Sequence, residues 1–327
     1  MNRRMHPVTR LGLILGAAAL VAACSTSGGG SSGPPVPSPE PDALRVVATT
    51  TVLADLIAQV GGTRVSVVSL VPKGGEVHTF DPSPSDVVTI AEADLVVLNG
   101  LGLDDWLGRL VTDAGSSAPI VELGEGLDGV EYLESGAHDD EGSDSGDGHA
   151  DEAVNPHLWL DVAHARRYAS RIADALADAD PADAAAYRAG LGDYDGRLAA
   201  LDEEIRSAIA SIPQANRRIV SFHEAFGYFA AAYGLEIVGV IVDAPGQDPS
   251  AGEIAALVEA IRSSGAKAVF TEAQFSPDLA ETVAAEARVT VVRDIYNDSL
   301  GEPPVDTYEG MMRWNTERTV AALEAAR

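Results

Sequence analysis

The chain has 327 residues, 46% hydrophobic and 22% charged, enough apolar material for a sizeable core and, at roughly 100 to 200 residues per domain, for two domains. Its 22 Lys+Arg face 50 Asp+Glu, a formal net charge of -28. A field of that sign repels phosphate backbones and anionic headgroups, so no nucleic acid is expected as a partner and cations are favoured. The single cysteine, Cys24, rules out an intramolecular disulfide and a multi-cysteine zinc cluster.

Residues 1–23 have the order of an export signal: Arg3, Arg4 and Arg10, an apolar run over 11–20 too short for a permanent span, then Val21, Ala22 and Ala23. The small residues before Cys24 resemble a bacterial lipobox, which implies cleavage before the cysteine and a lipid on it. Residues 24–43, rich in Gly and Ser and then in Pro, read as a tether between membrane and globule. Cleavage removes three arginines and no acid, so the mature chain is more acidic than its precursor.

From residue 44 short β-branched runs alternate with helical stretches, the pattern of parallel α/β sheets. A first lobe over 44–180 is expected to hold strands at 44–48, 65–70, 94–98 and 120–123, with helices at 51–60 and 83–92. The second of these opens with Pro84 in its first turn. The connecting segment 181–213, bounded by Pro181 and Pro213, holds the longest helical stretch, from about Pro181 to Ser211, which would run roughly 45 Å as a spacer. Gly190, Gly192 and Gly196 each weaken its middle by about 1 kcal/mol relative to alanine. A second lobe over 214–327 repeats the scheme with strands at 218–221, 236–241, 268–271 and 290–292. The expected fold is therefore α/β, two lobes, each a parallel sheet flanked by helices, joined by one long helix.

The stretch 138–152 carries seven acids and two histidines with no apolar side chain larger than alanine, and reads as a disordered surface loop. His138 and His149 in it offer weak, accessory capture of cations. His6 falls in the leader, and His164 lies on the polar side of a helix beginning near Asp161. That leaves His78, His157 and His223, each in a loop or at a strand end beside Pro, Asp or Asn. His223 opens a helix over 224–230, where a helix N-terminus disfavours imidazolium and keeps the ring neutral. Three such histidines, 79 and 66 residues apart, can converge in a cleft between two lobes. With one carboxylate they make a four-coordinate nitrogen/oxygen site suited to Zn²⁺ and possible for Mn²⁺. The strand end over 291–300 supplies two candidates for that carboxylate, Asp294 and Asp298.

These residues carry a resemblance. Val47-Ala-Thr-Thr-Thr-Val52, Gly75-Glu-Val-His-Thr-Phe-Asp-Pro82, Asn155-Pro-His-Leu-Trp-Leu-Asp161, Phe222-His-Glu-Ala-Phe-Gly-Tyr-Phe229 and Tyr296-Asn-Asp-Ser-Leu300, followed by Asp306-Thr-Tyr308 and Met311-Met-Arg-Trp-Asn315, stand in the order of one family. The chain resembles the zinc- and manganese-binding solute-binding lipoproteins of metal ABC importers, over nearly the whole mature sequence. The resemblance implies His78 and His157 as ligands from the first lobe and His223 and Asp298 from the second, Asp298 rather than Asp294 because Asp-Ser-Leu matches the family pattern. Manganese-selective members usually carry Glu at the position of His223, which leans the reading toward zinc. Zinc members often have a longer His-rich loop than the one here. The implied role is extracytoplasmic: a protein lipid-anchored to the bacterial cell membrane through Cys24, expected to be a monomer, binding one Zn²⁺ (alternatively Mn²⁺) and passing it to an ABC permease.

Two rivals belong to other classes. A metal-dependent hydrolase needs an open coordination position, which four protein ligands remove. His223-Glu224 is also followed by Gly227 where a zincin helix has its second histidine. A haem or siderophore binder, or an adhesin displayed on the tether, would call for more aromatic or basic groups than a chain with 5% aromatics offers.

Overall fold

The computed structural model describes residues 38–135 and 154–324. The leader, Cys24 and the tether up to residue 37, and the acidic stretch with His138 and His149, lie outside the described residues.

The first half builds β1 (Leu44–Ala48), α1 (Thr51–Gly61), β2 (Val65–Ser69), α2 (Pro84–Ala91), β3 (Leu95–Leu98), α3 (Trp106–Asp113) and β4 (Ile120–Glu122). The four strands are parallel in the order β2-β1-β3-β4. β3 reads Leu-Val-Val-Leu and is buried throughout, as a central parallel strand covered on both faces must be. α1 starts where the Thr50 hydroxyl accepts the Leu53 N–H at 3.3 Å, and it buries Val52, Leu53, Leu56, Ile57 and Val60 along one stripe. α2 begins at Pro84, and the Asp86 carboxylate accepts the Ser83 N–H at 2.7 Å.

The second half repeats the plan with β5 (Arg218–Ser221), α6 (Gly227–Tyr233), β6 (Glu236–Val240), α7 (Ala251–Ser264), β7 (Ala268–Glu272), α8 (Asp278–Ala287), β8 (Thr290–Ile295) and α9 (Tyr308–Glu324). Its sheet is again parallel, in the order β6-β5-β7-β8. Both sheets thus reverse their strand order between the first and third strands in sequence. The crevice beyond the carboxyl ends at such a reversal is where α/β sheets bind ligands.

Between the sheets in sequence come α4 (Val162–Ala179) and α5 (Ala184–Ala210). The expected long helix starts later than predicted, because the chain must reverse after Asp180 for α5 to lie back on α4. At 27 residues α5 is about 40 Å long. It packs on α1, α4, α6 and α9, burying Tyr187, Tyr194, Leu198, Leu201, Ile205 and Ile209. Its glycines do not break it. Gly190 has a packing reason: a Cβ there would run into the Val60 carbonyl oxygen, so glycine lets α5 lie directly against α1. One apolar core runs without interruption from β1 and α1 through α4 and α5 to α6 and α9. Among the described residues no helix is long and apolar enough to cross a membrane.

Candidate metal centre

His78 lies in the loop after β2, with its backbone N–H donated to Glu76 Oε1 at 2.9 Å. His157 precedes a 3-10 turn at Leu158–Leu160, and all three residues of that turn are buried. His223 stands just after β5, and Asp298 just after β8. These four side chains, from both halves of the chain, offer ligand atoms that all lie within 4.8 Å of one another. The carboxylate of Asp298 is the centre of the group. His157 Nε2 is 3.3 Å from Oδ1, His223 Nε2 is 3.7 Å from Oδ2, and His78 Nε2 is 3.9 Å from Oδ2. His157 and His223 Nε2 are 3.4 Å apart.

Only His78 retains exposure, at 21% of its side chain; the other three are buried. Both carboxylate oxygens of Asp298 and Nε2 of His78 are buried without a hydrogen-bonding partner in the protein. Buried acceptors with no donor are costly, and here the unsatisfied atoms all point at one spot. Three imidazole nitrogens and a carboxylate converging in this way fit a divalent cation of borderline softness.

The far sides of the rings are also held. Asn155 Oδ1 accepts the His157 N–H at 3.0 Å and lies 2.9 Å from His157 Nδ1, which assigns the ring proton to Nδ1 and leaves the Nε2 lone pair for a cation. Asn155 is itself fixed by donating to the Glu224 carbonyl at 2.7 Å. Behind His223, Nδ1 faces Glu272 Oε1 at 3.3 Å. Glu272 ends β7, a strand buried at all five positions. Glu272 is not among the residues the sequence singles out, although an acid closing the buried strand Ala-Val-Phe-Thr is a signal in an α/β fold, where strand ends carry functional groups. Asn297 holds the wall of the site, its carbonyl accepting Trp159 Nε1–H at 2.9 Å.

Electrostatics divide the rings. Burial lowers His78 to about 4, partly offset by Asp298, and burial lowers His157 in the same direction. Burial would lower His223 too, but Glu272 and then Asp298 and Glu76 outweigh it and raise the ring to about 9. The expectation that a helix N-terminus keeps His223 neutral is therefore corrected. α6 begins only at Gly227, and the carboxylates around the ring decide its charge. Asp298 is pushed up by burial, but the imidazoles, His157 foremost, hold it below the usual carboxylate range. Glu76, raised to about 7 by burial and then by Asp298, keeps Oε2 buried and without a partner beside the group. A cation at the Nε2 cluster competes with the proton on His223.

Asp294 and His164 are not brought into the group. The side chain of Asp294 is 59% exposed and faces Arg318 at 3.8 Å. His164 Nε2 lies 3.7 Å from Asp161 and the ring packs edge-on against Tyr228, so it is half-buried rather than on an open polar face.

Residues 46–322 match the family described as zinc-uptake complex component A, periplasmic. The manganese-binding lipoprotein MntA of Halalkalibacterium halodurans is 31% identical over 288 residues, which span 88% of this chain and 90% of that one. The iron ABC transporter substrate-binding lipoprotein MtsA of Streptococcus pyogenes is 29% identical over 325 residues, 96% of this chain and 98% of its own. In fold the chain is similar to the periplasmic zinc binding protein TroA of Treponema pallidum, with a TM-score of 0.75 at 24% identity over 87% of this chain and 100% of that one. This chain belongs to the zinc-uptake component A family, whose members are the metal-binding components of ABC importers and not enzymes.

Proposed function

We propose that the mature protein binds one Zn²⁺ through His78, His157 and His223 Nε2 and the Asp298 carboxylate, and delivers it to the permease of an ABC importer while anchored to the outer face of the cell membrane by lipid on Cys24. The observation that carries the reading is the convergence of three imidazoles on a buried carboxylate that has no protein donor of its own. Four protein ligands saturate a tetrahedral ion and leave no position for a reacting water, which suits carriage rather than catalysis. His78 rides on the loop after β2 and Asp298 on the loop after β8, strands of separate sheets, so parting these two loops dismantles the site and frees the ion. A monomer suffices, because one chain supplies all four ligands.

A second reading, Mn²⁺ as cargo, is favoured by two observations: MntA is named for manganese, and Glu76 holds a further unpartnered carboxylate oxygen beside the group, an oxygen donor of the kind Mn²⁺ prefers. Titration calorimetry of metal-stripped protein, with Zn²⁺ and Mn²⁺ separately and in competition, tests both. One site with Zn²⁺ bound far more tightly is the expected result. A stoichiometry near zero for both ions, or full affinity retained in His78→Ala, would sink the proposal, and tight Mn²⁺ binding that Zn²⁺ displaces only weakly would favour the second reading.

A further inference from the structure

Ser299, the residue after the Asp298 carboxylate, is 3% exposed, and its hydroxyl joins three segments. Ser299 Oγ accepts the Gly74 N–H at 2.7 Å, lies 3.3 Å from Thr51 Oγ1 and reaches the Pro72 carbonyl at 3.4 Å. Thr51 Oγ1 in turn accepts the Leu300 N–H at 2.8 Å. A hydroxyl oxygen accepts through two lone pairs, so either hydroxyl can donate in the Thr51–Ser299 bond, and Ser299 can alternatively donate to the Pro72 or Leu300 carbonyl. The bonds form one network. It connects the first residue of α1, the loop after β2 that leads to His78, and the loop after β8 that carries Asp298.

Asp298 is thus pinned on both sides, and the two pins differ. On one side the Asn297 carbonyl is held by Trp159 within the core. On the other, Ser299 borders a cavity of about 220 Å³ lined also by Lys73, Gly74, Gln274, Tyr296 and Glu302. Water can compete for the Ser299 bonds but not for the Trp159 bond. Lys73 and Glu302 also approach across this cavity, at 3.6 Å, but both are exposed and an exposed pair holds little.

Resting on the reading of the four side chains as ion ligands, we infer that the Thr51–Ser299 hydroxyl pair is a positioning latch, which holds the Asp298 loop against the His78 loop and sets how long the site retains its ion. Neither hydroxyl touches the ion. Their effect runs through the placement of Asp298, and opening begins at this cavity side.

The test uses the full mature chain loaded with Zn²⁺, with release followed by rapid mixing with excess chelator, and with Co²⁺ as a spectroscopic probe of the ligand set. Ser299→Ala and Thr51→Val should each speed release about tenfold, the effect of losing about 1.4 kcal/mol of hydrogen bonding. The double variant should release no faster than about the quicker single one, because the two hydroxyls act as a unit. Ser299→Thr, which keeps the hydroxyl, should return release toward the wild-type rate. Association rate and the Co²⁺ spectrum should be unchanged throughout, which a general loosening of the fold would not leave intact. Release from Ser299→Ala within twofold of wild type, or effects that simply add in the double variant, would overturn the latch while leaving the ligand reading standing. Failure of the wild-type chain to bind either ion would overturn both.

Discussion

The two halves of the molecule use one sheet plan and reach opposite electrostatic results. In the first, burial penalises the charged forms of His78 and His157 and outweighs the opposing pull of Asp298, which favours neutral rings. In the second, Glu272 at the end of β7 and Asp298 after β8 flank His223, and the same burial is overcome. Strand order is therefore not what assigns a role to each half. What differs is where acids fall at the carboxyl ends of the strands: the second half places both Glu272 and Asp298 against its own imidazole, and Glu76 of the first half adds to the same field at His223.

The largest expected effect comes from breaking the second half. If an apparent ~10 to 16 kcal/mol of zinc binding is shared among four ligands, removing one costs about 2.5 to 4 kcal/mol, roughly a hundredfold to a thousandfold in affinity. His223→Ala should show such a loss by calorimetry, whereas Asp294→Asn, on the same strand end but turned outward, should stay within about twofold. Equal losses from the two would mean that the carboxylate has been assigned to the wrong aspartate.

A comparable effect on stability should appear at the joint between the halves. Asp55 of α1 accepts the Tyr308 N–H at 2.7 Å, capping α9 from across the molecule. Burial raises Asp55 to about 6 against an ordinary 3.8, with the Tyr308 bond opposing and Glu309 and Asp306 adding to the rise. Arg197, which pairs with Glu309 at 3.2 Å, is the nearest cation of the cluster. The native state then holds the proton more tightly than the unfolded chain does. This group's contribution is greatest below about pH 4 and declines as the pH rises to about 6, by about 3 kcal/mol in all. Asp55→Asn keeps the acceptor and loses the titration. Chemical denaturation from pH 4 to 7 should show the variant gaining on wild type as the pH rises, and a constant gap would exclude the assignment.

Smaller still should be the loss on neutralising the acid behind His223. Glu272→Gln keeps shape but removes charge, and loss of a group that orients a ligand typically costs 10- to 100-fold in affinity. Asn155→Ala behind His157 removes a neutral orienting group and should cost less than Glu272→Gln. If it costs more, the contrast between the halves is not one of charge.

The ease with which the strands could be found has a local cause. Each is a run of β-branched residues flanked by turn residues, and β1, β5 and their partners fall within a residue or two of expectation because period and composition suffice. The histidines stood out for a similar reason, since each lies at a strand or loop boundary beside turn-forming neighbours. Glu272 did not stand out, because a single acid in Thr-Glu-Ala-Gln looks like an ordinary strand end until β5 is laid beside β7. The glycines of α5 read as weak points from propensity alone, whereas Gly190 is where α1 presses against the helix.

By itself the amino-acid sequence determined the alternation of elements, the two-lobed α/β plan and the residue types available to hold a cation, because these follow from spacing along the chain. The Asp-Ser-Leu pattern already favoured Asp298 over Asp294, and the tertiary structure brings Asp298 to the imidazoles; only the tertiary structure showed that carboxylates outweigh burial at His223 and that Ser299 bonds to the loop of the other half. Those outcomes depend on groups 49 residues apart, as His223 and Glu272 are, or more than 200, as Gly74 and Ser299 are. Electrostatic and hydrogen-bond energies depend on distances through space, and no local pattern encodes them.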